Sequence, residues 1–163
     1  MNSQQNKNNI SIKKALDEDI VKIVSIHKSC VLKTNSKFYS KSVIKEWLSQ
    51  ISIKNTREQF KNTKWHVIKL NDKIIGFCQF SPIEKDLYQI NISPKYQGKN
   101  YGKLLYGFVE KYFRKLRMNE IYLNSTLNAV NFYKNLGFKK IKMIKFKLDK
   151  TFVEMVKMKK QLK

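Results

Sequence analysis

Cysteine is scarce in this chain, and its scarcity excludes two ways of stabilising a fold. Cys30 and Cys78 are the only cysteines among 163 residues. Two cysteines are too few for a disulfide framework or a four-cysteine zinc site, so we expect no structural metal. Both lie in apolar segments, which predicts two buried free thiols.

Long apolar segments are also absent. No stretch approaches the roughly 18 to 20 apolar residues that a membrane-spanning helix needs. The polar segment 1–5 lacks the apolar region of a signal peptide. These features predict a soluble cytoplasmic protein with no membrane partner. Hydrophobic residues still make up 42% of the chain, enough for the core of one ordinary domain.

Acidic residues are few, with 12 Asp+Glu against 34 Lys+Arg and a formal net charge of +22. Such a charge favours anionic ligands over cationic ones and is compatible with a nucleic-acid partner. The lysines are scattered, however, and the chain is rich in Lys, Asn and Ile throughout. A compositional bias is therefore the alternative explanation of the positive charge. We favour it over a nucleic-acid partner.

The patterns along the chain predict an α/β fold with a mixed sheet flanked by helices. Segment 1–9 is polar and low in complexity, which predicts a disordered tail before a single domain over 10–163. Strands are predicted at 10–14, 65–70, 73–80, 87–92, 120–124, 141–146 and 152–158. Helices are predicted after Asp17, at 41–49 after Ser40, at 56–62, at 102–116 and at 128–136 before Gly137.

Two local patterns add detail to this prediction. The pair Asn71-Asp72 is a two-residue turn that makes its flanking strands a hairpin. In the fourth strand, simple alternation places Leu87, Gln89 and Asn91 on one face and Tyr88, Ile90 and Ile92 on the other.

The segment 87–102 carries the clearest chemical signal, because a strand passes through a short loop into a long helix. Free N–H groups at a helix start, together with the helix dipole, bind anions. Gly98 and Gly102 allow the backbone to approach a ligand closely, and Lys99 and Lys103 add positive charge. The pattern is neither a P-loop nor a dinucleotide-binding fingerprint. A plain strand-to-helix connection is the alternative.

The run from Gln97 to Gly102 resembles the acyl-CoA-binding signature [RQ]-x-x-G-x-[GA] of the GNAT superfamily of N-acetyltransferases. The run N-A-V-N-F-Y-K-N-L-G-F at 128–138 is similar to a second region of that superfamily. The middle glycine of the signature is replaced by Asn100. Asparagine tolerates positive φ better than other non-glycine residues, so we expect the loop to form.

The resemblance implies a GNAT-like fold, with a mostly antiparallel sheet of about six to seven strands, and acetyl-CoA as co-substrate. The pyrophosphate would be held by backbone amides, and the pantetheine arm would pair with the edge of the fourth strand and contact Asn128. The residues implied at the cofactor site are Ile90, Ile92, Gln97, Gly98, Lys99, Asn100, Tyr101, Gly102, Lys103 and Asn128.

The resemblance also implies catalytic roles. Tyr133 matches the tyrosine that protonates the departing CoA thiolate, and the backbone N–H of Ile90 would stabilise the oxyanion. The general base in this family is often a carboxylate on the fourth strand, but the matching position here is Tyr88. Glu84 and Asp86, just upstream, are alternatives to it. His27 and His66 are interpreted as structural residues.

The predicted function is transfer of an acetyl group to a primary amine of a small molecule. The positive charge favours an anionic amine, such as an amino-sugar phosphate. Alternatives are a protein-lysine, N-terminal or aminoacyl-RNA acetyltransferase, and a non-catalytic acyl-CoA- or nucleic-acid-binding module. Phe38, Tyr39 and Trp47 are candidate pocket walls. The apolar C-terminal strands leave an edge through which a homodimer would form.

Overall fold

Residues 8–163, the part of the chain that the computed structural model describes, form seven strands and five α-helices. They are β1 Ile10–Lys14, α1 Ile20–Lys33, α2 Lys41–Gln50, α3 Ile53–Phe60, β2 Lys64–Leu70, β3 Lys73–Ser81, β4 Asp86–Ile92, α4 Tyr101–Lys115, β5 Glu120–Thr126, α5 Val130–Asn135, β6 Lys139–Lys147 and β7 Phe152–Gln161. The predicted α/β class is confirmed.

The predicted tail over 1–9 lies mostly outside the described residues, which begin at position 8. Within the described part, Asn9 is tied to the turn between β2 and β3. Its backbone N–H donates to Asn71 Oδ1 at 2.9 Å, and its carbonyl accepts from the Asn71 N–H at 2.8 Å.

The seven strands form one sheet in the order β1-β2-β3-β4-β5-β7-β6. Every neighbouring pair is antiparallel except β4 and β5, which run parallel. These two strands are joined at a single position, Asp86 opposite Tyr122. Beyond it they separate, so that 87–92 and 123–126 flank a split in the sheet.

Apolar side chains cover both faces of this sheet. On one face, α4 and α5 bury Leu105, Val109, Phe113 and Tyr133 against residues such as Leu87, Leu123 and Met158. On the other face, α1 packs Ile23, Ile26 and Cys30 against Trp65, Val67 and Phe77. Each fully buried aliphatic or aromatic side chain stabilises the fold by roughly 1.5–3 kcal/mol. The split therefore lies between two packed layers.

The helix starts test the capping predictions. Ser40 caps α2 as predicted, because its Oγ accepts from the Val43 N–H at 3.3 Å. The prediction for Asp17 is wrong. Asp17 lies in a short 3-10 turn before α1, and its carboxylate pairs with Arg57 of α3 at 2.8 Å. Because the Asp17 carboxylate binds Arg57, it does not cap α1, which begins three residues later at Ile20.

Two positive-φ predictions hold. Asn71 and Asp72 have φ of 49° and 64°, as a two-residue hairpin turn requires. Gly137 follows the last turn of α5 with φ of 96°. The third helix instead starts earlier than predicted, at Ile53, because Ser52 Oγ caps it by accepting from the Asn55 N–H at 3.1 Å.

The long helix α4 ends before the predicted limit at residue 116. Its last residue is Lys115, and Leu116 is 52% exposed. The face that α4 buries carries Leu105, Tyr106, Val109 and Phe113. Cys30 and Cys78 are free and buried, as expected. Among the described residues, no helix combines the length and the apolar character that crossing a membrane requires.

Gly76 on β3 is tightly enclosed, which allows a stability test. A Cβ there would lie 2.5 Å from Ile92 Cδ1 and 2.7 Å from the Asn91 carbonyl oxygen. We expect Gly76→Ala to lower the free energy of unfolding by about 1–3 kcal/mol through overpacking. Urea denaturation measures this change.

Gly107 provides the matched control, because a Cβ there meets nothing within 4 Å and the residue lies inside α4. Gly107→Ala should raise the free energy of unfolding by roughly 0.5–1 kcal/mol, since alanine favours the helix. Equal stability of the two variants would contradict the packing described for β3 and β4.

Candidate active site

The open end of the β4–β5 split is flanked by two connections. After β4, the chain passes through a 3-10 turn at Pro94–Tyr96 and a loop over 97–100 before α4 begins at Tyr101. After β5, a 3-10 turn at Leu127–Ala129 leads into α5. The start of α4 and the turn before α5 therefore face each other across the end of the split.

The loop before α4 has the backbone shape that an anion site needs. Gly98 has φ of 74°, and Asn100 lies in the left-handed region with φ of 66° and ψ of 8°. Asn100 thus adopts the conformation expected for it, in place of glycine. Its carbonyl accepts the first helical bond, from the Leu104 N–H at 3.1 Å. The N–H groups of the first turn, at Tyr101, Gly102 and Lys103, have no partner within the helix.

Gly102 has a packing reason of its own. A Cβ at this position would lie 3.3 Å from the ring of Phe132 on α5. Glycine therefore lets the first turn of α4 approach α5 closely. Nothing lies within 4 Å of a Cβ built at Gly98, so the requirement at Gly98 is its positive φ alone.

Gln97 fixes this loop to its surroundings. Its Nε2 donates to the Ile92 carbonyl at 2.8 Å and lies 3.4 Å from Thr34 Oγ1. The Cys30 thiol of α1 donates to the same carbonyl at 3.2 Å. The Gln97 amide therefore joins the end of β4, the loop and the end of α1. Lys99, like Lys103, is exposed and supplies positive charge beside the loop.

Asn128, in the turn before α5, has an unmet hydrogen-bonding group. Its Oδ1 is buried and has no partner within residues 8–163. Leaving a buried acceptor unpaired costs about 1–3 kcal/mol, which a ligand N–H would recover. An amide-containing arm lying in the split would supply such a donor. The unmet oxygen, the open strand edge and the anion-binding loop together fit the acetyl-CoA expected from the sequence.

A β-bulge in β4 changes which face each residue presents. The pairing with β3 passes from Gln79–Gln89 to Phe80–Leu87, so Tyr88 is the extra residue. The predicted simple alternation along 87–92 is therefore wrong, since it continued unbroken through Tyr88. Leu87 lies on the α4 face with Ile90 and Ile92.

The bulge also places Asp86 on the opposite face, shared with Gln89 and Asn91. In β3, Phe77, Gln79 and Ser81 alternate regularly onto the face covered by α1, and Asp86 pairs with Ser81. Asp86 lies at the closed end of the split, opposite Tyr122.

The three candidate bases differ in environment. Asp86 is half-buried, and burial, followed by the nearby Glu84 charge, raises the pKa of its carboxyl, while Lys157 opposes the rise. Glu84 is exposed and accepts a hydrogen bond from the hydroxyl of Tyr88, which is itself 40% exposed. Glu84 and Tyr88 are thus occupied with each other at the surface.

Tyr133 lies on the α4 side of the sheet. Its ring packs edge-on against Phe132 and Phe138, with centroids 5.1 and 5.7 Å away. Burial, and secondarily the Cys78 thiol, raise the pKa of its hydroxyl. Cys78 pairs with Ile90 across β3 and β4, so the Tyr133 ring lies near the strand that lines the split. The hydroxyl keeps its proton at neutral pH.

The two histidines lie among aromatic rings. The ring of His27 is 5.9 Å from that of Phe77, and burial lowers the pKa of His27 to about 4. His66 is 4.6 Å from Phe108, and burial, then Lys64 and Lys14, lower its pKa to about 4. Both are neutral at pH 7. Within residues 8–163, no group of three or more His, Cys, Asp or Glu side chains is arranged to hold a metal.

Two residues that tie the early helices to the last hairpin were not recognised from the sequence in this role. The Tyr39 hydroxyl accepts from the Leu127 N–H at 2.9 Å and donates to the Glu154 carbonyl at 2.7 Å. The Glu46 carboxylate accepts from the Thr151 N–H at 2.7 Å. The sequence indicates Tyr39 only as a candidate pocket wall, because no local pattern indicates partners more than 80 positions away.

Solved structures of other proteins resemble the fold of this chain. The GCN5-related N-acetyltransferase of Rhodopseudomonas palustris has a TM-score of 0.88 at 16% identity, over 93% of this chain and 95% of that one. PaiA N-acetyltransferase of Thermoplasma acidophilum, solved in complex with coenzyme A, has a TM-score of 0.78 at 22% identity, over 94% and 99%. The yncA protein of Salmonella typhimurium, solved with acetyl-CoA, has a TM-score of 0.64 at 19% identity, over 95% of each chain. These likenesses concern the fold.

Sequence comparison adds two findings. An uncharacterised N-acetyltransferase of Acanthamoeba polyphaga mimivirus is 27% identical over 99 residues, which are 56% of this chain and 24% of that protein. The matched part is therefore about a quarter of that relative. The model of the GNAT acetyltransferase domain matches residues 35–162. This range includes strands β4 and β5, the loop that precedes α4, and helix α5. Because this family model matches most of the chain, the chain belongs to the GNAT acetyltransferase family.

Proposed function

We propose that this chain transfers the acetyl group of acetyl-CoA to a primary amine of a small molecule. One observation carries the proposal, namely the β4–β5 split, with the anion-binding loop and the unmet Asn128 oxygen at its open end. Acetyl-CoA, when bound, supplies a thioester whose carbonyl carbon is open to attack by an amine.

In this proposal, each cofactor residue has a role that its position supports. The amides of Gly98, Asn100, Gly102 and Lys103 bind the pyrophosphate, because they surround the start of α4. The edge of β4 at Ile90 and Ile92 pairs with the pantetheine arm through the backbone groups that are still free there, since the Ile92 carbonyl already accepts from Gln97 and Cys30. Asn128 Oδ1 accepts from an amide N–H of that arm. Gln97 holds the loop, Lys99 adds charge, and Tyr101, half-buried, begins the helix.

Asp86 is the proposed base. A lysine-like amine has a pKa of about 10.4, so its deprotonation at pH 7 costs roughly 4–5 kcal/mol. A carboxylate with a raised pKa removes the proton better than an ordinary one, and Asp86 lies at the split on the face away from α4. Glu84 and Tyr88, bonded to each other, are the weaker candidates.

Tyr133 is the proposed acid, which gives its proton to the departing thiolate. Its raised pKa keeps the phenol protonated, and it lies on the α4 side of β4, opposite to Asp86. The N–H of Ile90 stabilises the oxyanion. The two proton transfers thus take place on opposite faces of the sheet.

The charge distribution supports a second candidate acceptor, an aminoacyl-RNA. Strand β6 is the edge of the sheet, and five of its nine residues are exposed lysines, namely Lys139, Lys140, Lys142, Lys145 and Lys147. Such a row attracts a polyanion. It also opposes the pairing of two β6 edges, so the homodimer hypothesis requires neutralisation of these charges.

The loop conformation predicts how acetyl-CoA affinity depends on residue 100. Asn100→Gly should bind acetyl-CoA within about threefold of the wild type, because either residue adopts the left-handed conformation. Asn100→Val should bind roughly tenfold more weakly or worse, because a β-branched residue is strained there. Isothermal titration calorimetry measures both. An unchanged affinity of the valine variant would remove the loop from the pyrophosphate site.

The pKa direction at Asp86 predicts its role in turnover. Asp86→Asn should lower kcat by roughly 10²–10⁴, as loss of a general base does. Because the folded pKa is raised, wild-type activity falls as pH drops through a value above the ordinary range of an Asp, and this step disappears in the variant. The measurement is free-thiol release against pH. Glu84→Gln and Tyr88→Phe are the controls. A larger loss of kcat in either control than in Asp86→Asn would assign the role of general base to that residue instead.

Tyr133 has a matched control in Tyr106, a second buried tyrosine that packs edge-on against Phe138 at 5.6 Å. Tyr133→Phe should lower kcat by roughly 10²-fold or more, since a general acid is lost, with acetyl-CoA affinity unchanged. Tyr106→Phe should leave kcat unchanged. The raised pKa keeps the wild type active at least to pH 10, where an ordinary tyrosine ionises. Equal kcat for wild type and Tyr133→Phe would exclude this role.

A further inference from the structure

A row of hydrogen-bonded amide side chains on the α1 face of the sheet has no part in the mechanism above. Asn91 Nδ2 donates to Gln89 Oε1 at 2.7 Å, and Gln89 Nε2 donates to Gln79 Oε1 at 2.8 Å. Gln79 Nε2 then donates to Thr63 Oγ1 at 3.1 Å. The row runs across β4 and β3 to the residue before β2.

The direction of this row is fixed at Thr63. The oxygen and nitrogen ends of an amide side chain can exchange, so the direction must come from groups with only one role. The Thr63 hydroxyl donates to the Gln59 carbonyl at 2.7 Å, and a carbonyl only accepts. It also accepts from Trp65 Nε1 at 2.8 Å, and an indole only donates. Its single proton is thus used, and Gln79 must present its nitrogen.

The orientation passes along the row from Gln79 to Asn91. With its nitrogen on Thr63, Gln79 offers its oxygen to Gln89, which in turn offers its oxygen to Asn91. Gln79 is 6% exposed, so a reversed amide would leave buried groups of the same kind facing each other. The end of the row is therefore the Asn91 Oδ1 atom, an acceptor.

The end of the row lies beside the split. Asn91 is on β4 between Ile90 and Ile92, beyond the position where β4 separates from β5. The α4 face is filled by the buried core, including Tyr133. An amine that reaches a thioester beside Ile90 therefore approaches from the α1 face, where Asn91 is the neighbouring polar side chain and Asp86 lies further away, at the closed end of the split.

We propose that Asn91 Oδ1 accepts a hydrogen bond from a hydroxyl group of the acceptor amine, which makes Asn91 a specificity residue for hydroxylated amines of the amino-sugar class. This inference rests on the proposed function. The +22 charge disfavours a second ammonium group as the donor, and a carboxylate cannot donate. Hydroxyl and amide N–H groups are the neutral donors that remain, and the proposal commits to the hydroxyl, so an acceptor that offers Asn91 only amide groups would contradict it.

Two commercially available amines, D-glucosamine and cyclohexylamine, test the proposal. Both carry a primary amine on a six-membered ring, and only glucosamine carries hydroxyl groups. Wild type should favour glucosamine in kcat/KM, and Asn91→Leu should reduce this preference about tenfold, the value of one hydrogen bond. Because both amines are measured on the same sample, the ratio does not depend on the folded fraction.

Thr63 is a positioning residue, and its variants test the fixed direction. Thr63→Val removes the hydroxyl and lets the row reverse, so KM for glucosamine should rise while KM for acetyl-CoA stays unchanged. Thr63→Ser should restore the wild-type value. Thr56→Val is the matched control, since Thr56 is a buried threonine of α3 outside the row. An equal effect of Thr63→Val and Thr56→Val on KM for glucosamine would overturn the fixed direction.

The outcomes separate this inference from the function on which it rests. If wild type acetylates cyclohexylamine as well as glucosamine, or acetylates only other amines, the role of Asn91 fails and the acetyltransferase stands. If acetyl-CoA binds but no amine in a broad panel releases thiol, the proposed function itself fails. A preference for glucosamine that survives in Asn91→Leu also overturns the inference.

Discussion

The separation of β4 from β5 after one bridging pair, Asp86 with Tyr122, is the constraint on which the rest of the site depends. A strand edge inside a packed sheet leaves backbone N–H and C=O groups without partners, and these must be satisfied by water or by a ligand. The elements around this opening enclose it on three sides. The loop before α4 and the turn before α5 lie at its open end, and helices cover both faces around it.

The opening is held in shape by contacts between distant parts of the chain. Gln97 and Cys30 both bind the Ile92 carbonyl, which fixes the end of β4 to α1 and to the loop. Tyr39 joins the segment before α2 to the end of β5 and to β7. The two sides of the split are thus held by separate hydrogen-bonded groups, so the opening proposed for the cofactor is preformed.

The two faces of the sheet divide the chemistry proposed here. The α4 face is apolar, and its burial keeps the Tyr133 phenol protonated. The α1 face carries polar side chains at the split, including Asp86 and the row that ends at Asn91. The β-bulge at Tyr88 produces this division, because without it Asp86 would lie on the same face as Ile90 and Ile92. One inserted residue therefore decides which face carries the carboxylate.

Local sequence determined the features that depend on neighbouring residues. The hairpin turn at Asn71-Asp72, the Ser40 cap, the end of α5 at Gly137 and the left-handed Asn100 follow from the φ preferences and side-chain oxygens of those residues. The resemblance around Gln97 and in the run 128–138 identified the family, since the anion-binding loop is itself a local structure.

Only the tertiary structure decided what depends on strand pairing and on partners far away in the chain. The bulge at Tyr88 cannot be read from β4 alone, because it arises from the register with β3. The same holds for Asp17, whose partner Arg57 lies 40 positions away, and for the row from Thr63 to Asn91. The loop proposed to bind acetyl-CoA was therefore recognisable from the sequence, because its conformation depends on neighbouring residues, whereas the residues proposed to face the amine became identifiable only from the fold.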